Sequence, residues 1–121
     1  MDKFDIQKRA MIIALEVIKL TKLFPICQES KVITYQIIKA STSTAANYRA
    51  AGRAKSSKDF IAKLGIAEEE GDETIFWLEM ILEAKLSSLE HIEPIKQEAS
   101  EILAIIVASI KTAKQNLNKQ I

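Results

Sequence analysis

The residues of this chain with chemical potential crowd into one stretch, positions 47–79, which reads NYRAAGRAKSSKDFIAKLGIAEEEGDETIFWLE. A basic cluster leads it: Lys39 just upstream, then Arg49, Arg53, Lys55, Lys58 and Lys63. Arg49 and Arg53 stand four residues apart, so on a helix they share one face. With Asn47 and Ser56 nearby, that face could hold phosphate oxygens, and the N–H groups opening a following helix would add donors. Tyr48 is of a type that stacks on a nucleic-acid base, although a packed aromatic is the commoner role. The competing account of the arginines is pairing with carboxylates, in this chain or in a neighbouring subunit. The anion or nucleic-acid candidates are therefore Lys39, Asn47, Arg49, Arg53, Lys55 and Lys58.

An acidic cluster follows: Glu68, Glu69, Glu70, Asp72 and Glu73. Its helical spacings of three and four residues invite a metal reading. Carboxylate-bridged metal sites in helical bundles, however, use Glu-x-x-His motifs on two helices. The one histidine, His91, falls in an expected connector and outside such a motif. A solvated or salt-bridged face is the better account, with Glu69, Asp72 and Glu73 as candidates for ion pairing inside the chain or across a subunit boundary. No serine sits in a nucleophile elbow, and no glycine-rich phosphate loop or dinucleotide fingerprint is present. The lone Cys27 has no spacing that would give it a base. The expectation is a non-enzymatic protein with no cofactor and no metal.

These clusters need a scaffold, and the totals bound it. A chain of 121 residues makes one domain, residues 1–121, large enough to bury a sizeable core. Three Gly and two Pro leave little room for turns or strands, while abundant Ala, Leu, Ile, Glu and Lys favour helix. A single cysteine permits no internal disulfide and fits a reducing cytoplasm. The opening Asp2 and Lys3 precede no signal-like apolar run, and the longest apolar runs, 10–15 and 102–108, fall far short of a membrane span.

A net charge of +1 conceals a bipolar arrangement. Positions 31–63 carry seven basic residues and one acid; positions 64–101 carry two lysines and eleven acids. A uniformly basic nucleic-acid binder would look different. Opposed charge blocks suit head-to-tail self-association or an electrostatically matched partner.

Apolar periodicity predicts four helices. The first covers about 3–23, with Met11, Ala14, Leu15 and Ile18 as its stripe, and stops at Phe24-Pro25. The second covers about 30–53, capped by Ser30, and includes the small-residue run at 40–46. The third starts at a cap on Ser56 or Ser57 and runs to about 86, with Phe60, Leu64, Ala67, Gly71, Leu78 and Ile81 in its stripe. Gly71 is expected to meet the small residues of the second helix. The fourth begins at 92–94, with Pro94 in its first turn, and runs to about 118.

Four helices with short connections imply an all-α, antiparallel up-down-up-down four-helix bundle. Ile12, Ile13, Ile105 and Val107 look surplus to one core, which predicts a homo-oligomer with an interface on the first and last helices.

The chain also resembles the 23S rRNA intervening-sequence protein family. The likeness rests on the Ser/Thr/Ala run before Asn47, then Arg49-Ala-Ala-Gly-Arg53 with Ser56, then Asp59-Phe60-Ile61. Leu64, Ile66, Ala67, the acids at 68–73, Trp77-Leu78-Glu79 and the Phe24-Pro25 break extend it over nearly the whole chain. The resemblance implies a bundle that assembles as a homopentameric ring in bacteria, with no enzymatic activity established for the family as a whole. A relative, the accessory variability protein of diversity-generating retroelements, is a basic pentamer that works with a reverse transcriptase and nucleic acid. This chain differs from that relative in being nearly neutral. The expected function is a homo-oligomeric interaction protein of the cytoplasm, its partner itself. The alternative is an RNA- or DNA-binding accessory protein acting with a nucleic-acid-processing partner.

Overall fold

Asp2 opens the first helix: its carboxylate accepts the N–H groups of Phe4 and Asp5 at 2.9 and 3.0 Å, and Asp5 reciprocates to the Asp2 N–H. The computed structural model describes residues 2–119 and contains α1 (Lys3–Thr21), α2 (Gln28–Ala51), α3 (Ser57–Glu83) and α4 (Leu89–Lys119). Among the described residues there is no strand. Packing runs α1 on α2, α2 on α3, α3 on α4 and α4 back on α1, so one core lies among all four helices.

The boundaries follow local chemistry. After α1, the N–H groups of Leu23 and Phe24 turn back to the carbonyls of Leu20 and Thr21, and Pro25 stops the chain from coiling further. The second helix starts earlier than its expected Ser30 cap. Cys27 holds the capping position, and the Ser30 hydroxyl, inside the helix and buried, donates to the Pro25 carbonyl at 2.6 Å. Ser56 caps α3 by accepting the Asp59 N–H at 3.1 Å. At the far end of α3, Lys85 takes a left-handed conformation with φ of 59°. The Leu86 N–H then reaches Ile81 and the Lys85 N–H reaches Leu82, each at 3.0 Å, and Leu86 tucks into the core.

The fourth helix also starts earlier than expected. Ser88 supplies the signal that proline obscured: its carbonyl accepts the N–H groups of His91 and Ile92 at 3.1 Å, and its hydroxyl also faces the His91 N–H. Pro94 therefore sits inside α4, not at its start, and His91 belongs to the first turn instead of a connector.

The core corrects the reading of α1. Ile6, Ala10, Ile13, Ala14, Val17 and Leu20 are buried, whereas Met11 and Leu15 are each about half exposed. Both sets have helical spacing. The buried set wins because all of it but Ala14 joins Ile33 and Ile37 of α2, Leu64, Leu78 and Ile81 of α3, and Ile102 and Ile106 of α4 in one cluster. Ile13, expected at an interface, is core, and Ile105 packs against the core; Ile12 and Val107 stay exposed. The buried hydroxyls of Thr44 and Thr74 return to carbonyls one turn back, Ala40 at 2.7 Å and Glu70 at 2.9 Å, which satisfies them at little cost.

Gly71 does face the small residues of α2, as expected. A methyl at its position would stand 3.6 Å from Thr44 Cγ2 and 3.4 Å from Leu103 Cδ1, which is ordinary contact. A void of about 10 Å³ lies beside it, so the approach of α2 to α3 does not depend on glycine.

Candidate functional site

The basic residues divide into those already engaged and those that are not. The Lys63 ammonium binds Asp59 Oδ1 at 2.6 Å, and the Lys55 backbone N–H donates to Asp59 Oδ2 at 3.1 Å. The hydrogen bond from Lys63, then that from the Lys55 N–H, holds the Asp59 carboxyl below its ordinary range. Asp59 is thus an N-terminal anchor for α3. The Asn47 side chain is engaged too, donating to the Ser43 carbonyl at 2.9 Å and facing the Ser43 hydroxyl at 3.2 Å.

Arg49, Arg53, Lys55 and Lys58 are exposed, and among the described residues none of their side-chain cations has a carboxylate within 4.0 Å. Arg49 and Arg53 share the face expected from their spacing. That face forms one wall of an open groove of about 870 Å³ between α1 and α2. Phe4, Met11, Leu15 and Ile18 line the opposite wall, with Lys8 among them, and among the described residues no carboxylate lines the groove. Lys39 lies elsewhere. It is on the α2 surface about 15 Å up the helix from Arg49, at 1.5 Å of rise per residue, where its charge acts on Glu70 of α3.

Tyr48 is half-buried against the core, and burial pushes its hydroxyl pKa up. It packs against the core as a partly buried aromatic. Cys27 is half-buried, with its Sγ 3.1 Å from the Ser30 hydroxyl.

The acidic cluster lies along α3. Glu69, Asp72 and Glu73 are exposed, and among the described residues none of the three forms an ion pair within the chain. Glu70 is half-buried; desolvation and then the adjacent Glu73 charge raise its pKa. Among the described residues, no group of three or more His, Cys, Asp or Glu side chains is arranged to hold a metal ion. His91 Nδ1, on an exposed residue, faces the Ser87 hydroxyl at 3.5 Å, apart from either cluster.

Two features of the surface escaped the sequence reading. Arg9 binds Glu98 through two guanidinium nitrogens, one of them Nε at 2.9 Å from Oε2, and stands 3.7 Å from Glu101. It clamps α1 to α4, and only knowledge of which α1 face is buried could have found it. The groove itself was missed because Met11, Leu15 and Ile18 read as core; the complete second apolar stripe on α1 was its signal.

The model of the 23S rRNA-intervening sequence protein family matches residues 2–108. The chain belongs to that family. A solved structure from Bacteroides thetaiotaomicron, described as a protein of unknown function from the S23 ribosomal protein family, is 33% identical in sequence. The similarity covers 92% of this chain and 99% of that one, with a TM-score of 0.81. No curated protein matches. Among the described residues, no helix of this chain is long and apolar enough to cross a membrane.

Proposed function

We propose that this chain is a non-enzymatic, homo-oligomeric interaction protein of the cytoplasm: an antiparallel up-down-up-down four-helix bundle that assembles as a pentameric ring. The observation that carries the reading is its exposed apolar surface. Phe4, Met11 and Leu15 on α1, and Ile66, Phe76 and Met80 on α3, stand open to solvent in ordered helices. Aligned apolar surface of this kind on a small protein marks an interaction site. The alternating topology is supported by short connections at 22–27, 52–56 and 84–88. It is supported also by Gly52 at the end of α2, where a Cβ would stand 3.2 Å from Gln7 Nε2 and 3.9 Å from Lys3 Cδ, near the start of α1. Light scattering on the purified chain tests the reading. A mass several times 13.5 kDa is expected, and a mass equal to the single chain removes it.

A second reading has its own support in Arg49, Arg53 and Lys58, exposed cations with no carboxylate beside them near the Ser56-capped start of α3. It makes the protein an RNA- or DNA-binding accessory, for example to a reverse transcriptase. Binding of structured RNA or duplex DNA should then weaken about tenfold or more between low and physiological salt, because phosphate contacts release counterions. Anisotropy titrations that detect no binding at low salt would eliminate it.

A further inference from the structure

We infer that the groove between α1 and α2 receives the outer face of α3 from a second copy of this chain, and that the contact is head-to-tail. The inference rests on the homo-oligomeric reading and goes beyond it by assigning the two faces that meet.

Each face is a continuous stripe. On α3, Ile66, Glu69, Glu73, Phe76 and Met80 follow at alternating steps of three and four residues, which places them on one line of a helix. All five are exposed. They lie opposite the buried positions Leu64, Ala67, Gly71, Thr74, Leu78 and Ile81, so no element of the same chain covers them. On α1, Phe4, Lys8, Met11, Leu15 and Ile18 follow the same alternation and form one wall of the groove. Each stripe spans fifteen residues, fourteen steps of 1.5 Å or about 21 Å. Groove and stripe therefore match in length.

Their charges are opposite. Among the described residues, Lys8, Arg49 and Arg53 are the ionisable residues lining the groove. From Ile66 to Met80, α3 carries Glu68, Glu69, Glu70, Asp72, Glu73 and Glu79 and no cation. Arg49 and Arg53 and the acids Glu69 and Glu73 have no ion-pair partner among the described residues of their own chain. A second copy offers partners to both sets at once, beside apolar surface that dehydrates them.

The placement also sets direction. Gly52 sits beside Lys3 and Gln7, so Arg49 and Arg53 stand near the Phe4 end of the groove, while Met11, Leu15 and Ile18 continue it as an apolar channel. On α3 the acids Glu69 and Glu73 lie toward Ile66, and Phe76 and Met80 lie toward the other end. Acids meet arginines and apolar residues meet the channel when the incoming α3 runs in the same direction as α1. The two faces are different surfaces, so each copy keeps one of each free. A contact of that kind closes into a ring or extends as a filament, and does not stop at a two-fold dimer.

Charge reversal tests the assignment on the full chain, with mass read by sedimentation velocity and helix content by circular dichroism. All four positions are exposed, so helix content should not change. Arg49→Glu with Arg53→Glu, and separately Glu69→Arg with Glu73→Arg, should each raise the concentration for half-assembly at least tenfold. The chain carrying all four changes should assemble again, because both faces are then reversed together. If the wild type assembles and neither reversal shifts its mass, the face assignment is overturned while the oligomeric reading stands. Dissociation by either reversal without rescue in the four-fold variant also overturns the assignment. A wild type that sediments as a monomer overturns both.

Discussion

Arg9 and Glu98 tie the first helix to the last, and their pairing makes a pH-dependent contribution that can be signed. The hydrogen bond from Arg9 holds the Glu98 carboxyl below its ordinary 4.5, against the opposing effect of burial. A carboxylate whose pKa is lower folded than unfolded stabilises the fold above the unfolded value, and that contribution fades as pH falls through the folded value. Both side chains are partly exposed, so the pair is worth about 0.5–1 kcal/mol. Glu98→Gln should therefore cost about that much at pH 7 in urea unfolding, and the difference from wild type should vanish below the folded pKa of Glu98. An equal cost at pH 7 and pH 3 would contradict the assignment. At this scale the candidate site was partly legible. The four-residue spacing of Arg49 and Arg53 foretold their common face. Adjacency along the chain groups Lys39 with them, whereas the helix sets it about 15 Å from Arg49.

The four helices were legible as elements because apolar spacing and breaks at Pro25 and 52–56 agree. Their ends were less so. Ser88 starts α4 six residues before Pro94, so the serine and not the proline sets the boundary. The end of α3 carries no glycine; Lys85 takes the left-handed position that glycine usually fills. A side chain there costs roughly 1 kcal/mol. Lys85→Gly should accordingly raise unfolding stability by up to about 1 kcal/mol, measured by urea or thermal unfolding; a loss of stability would show that the lysine side chain contributes more than its backbone conformation costs. The face of α1 was the main misreading. Its apolar arc contains two complete stripes, one ending in the core and one in the groove, and periodicity alone ranks them equally. Only the positions of α2 and α4 decide between them.

For the whole molecule, the bipolar sequence acquires a spatial meaning. The basic block contributes Arg49 and Arg53 to a groove, and the acidic block contributes Glu69 and Glu73 to a stripe on another helix. The near-zero net charge hides two faces that repel their own kind and attract each other. The same arginines account for the nucleic-acid reading, so occupancy of the groove by a neighbouring α3 would remove two of its principal contacts. The proposed assembly is a closed ring of identical subunits joined by unlike faces. Native mass spectrometry of the purified chain decides between a ring and its alternatives, because it counts subunits. The expected result is a single dominant species of five chains, each of 13.5 kDa. A spectrum dominated by the single chain, or by a two-fold dimer, would contradict it.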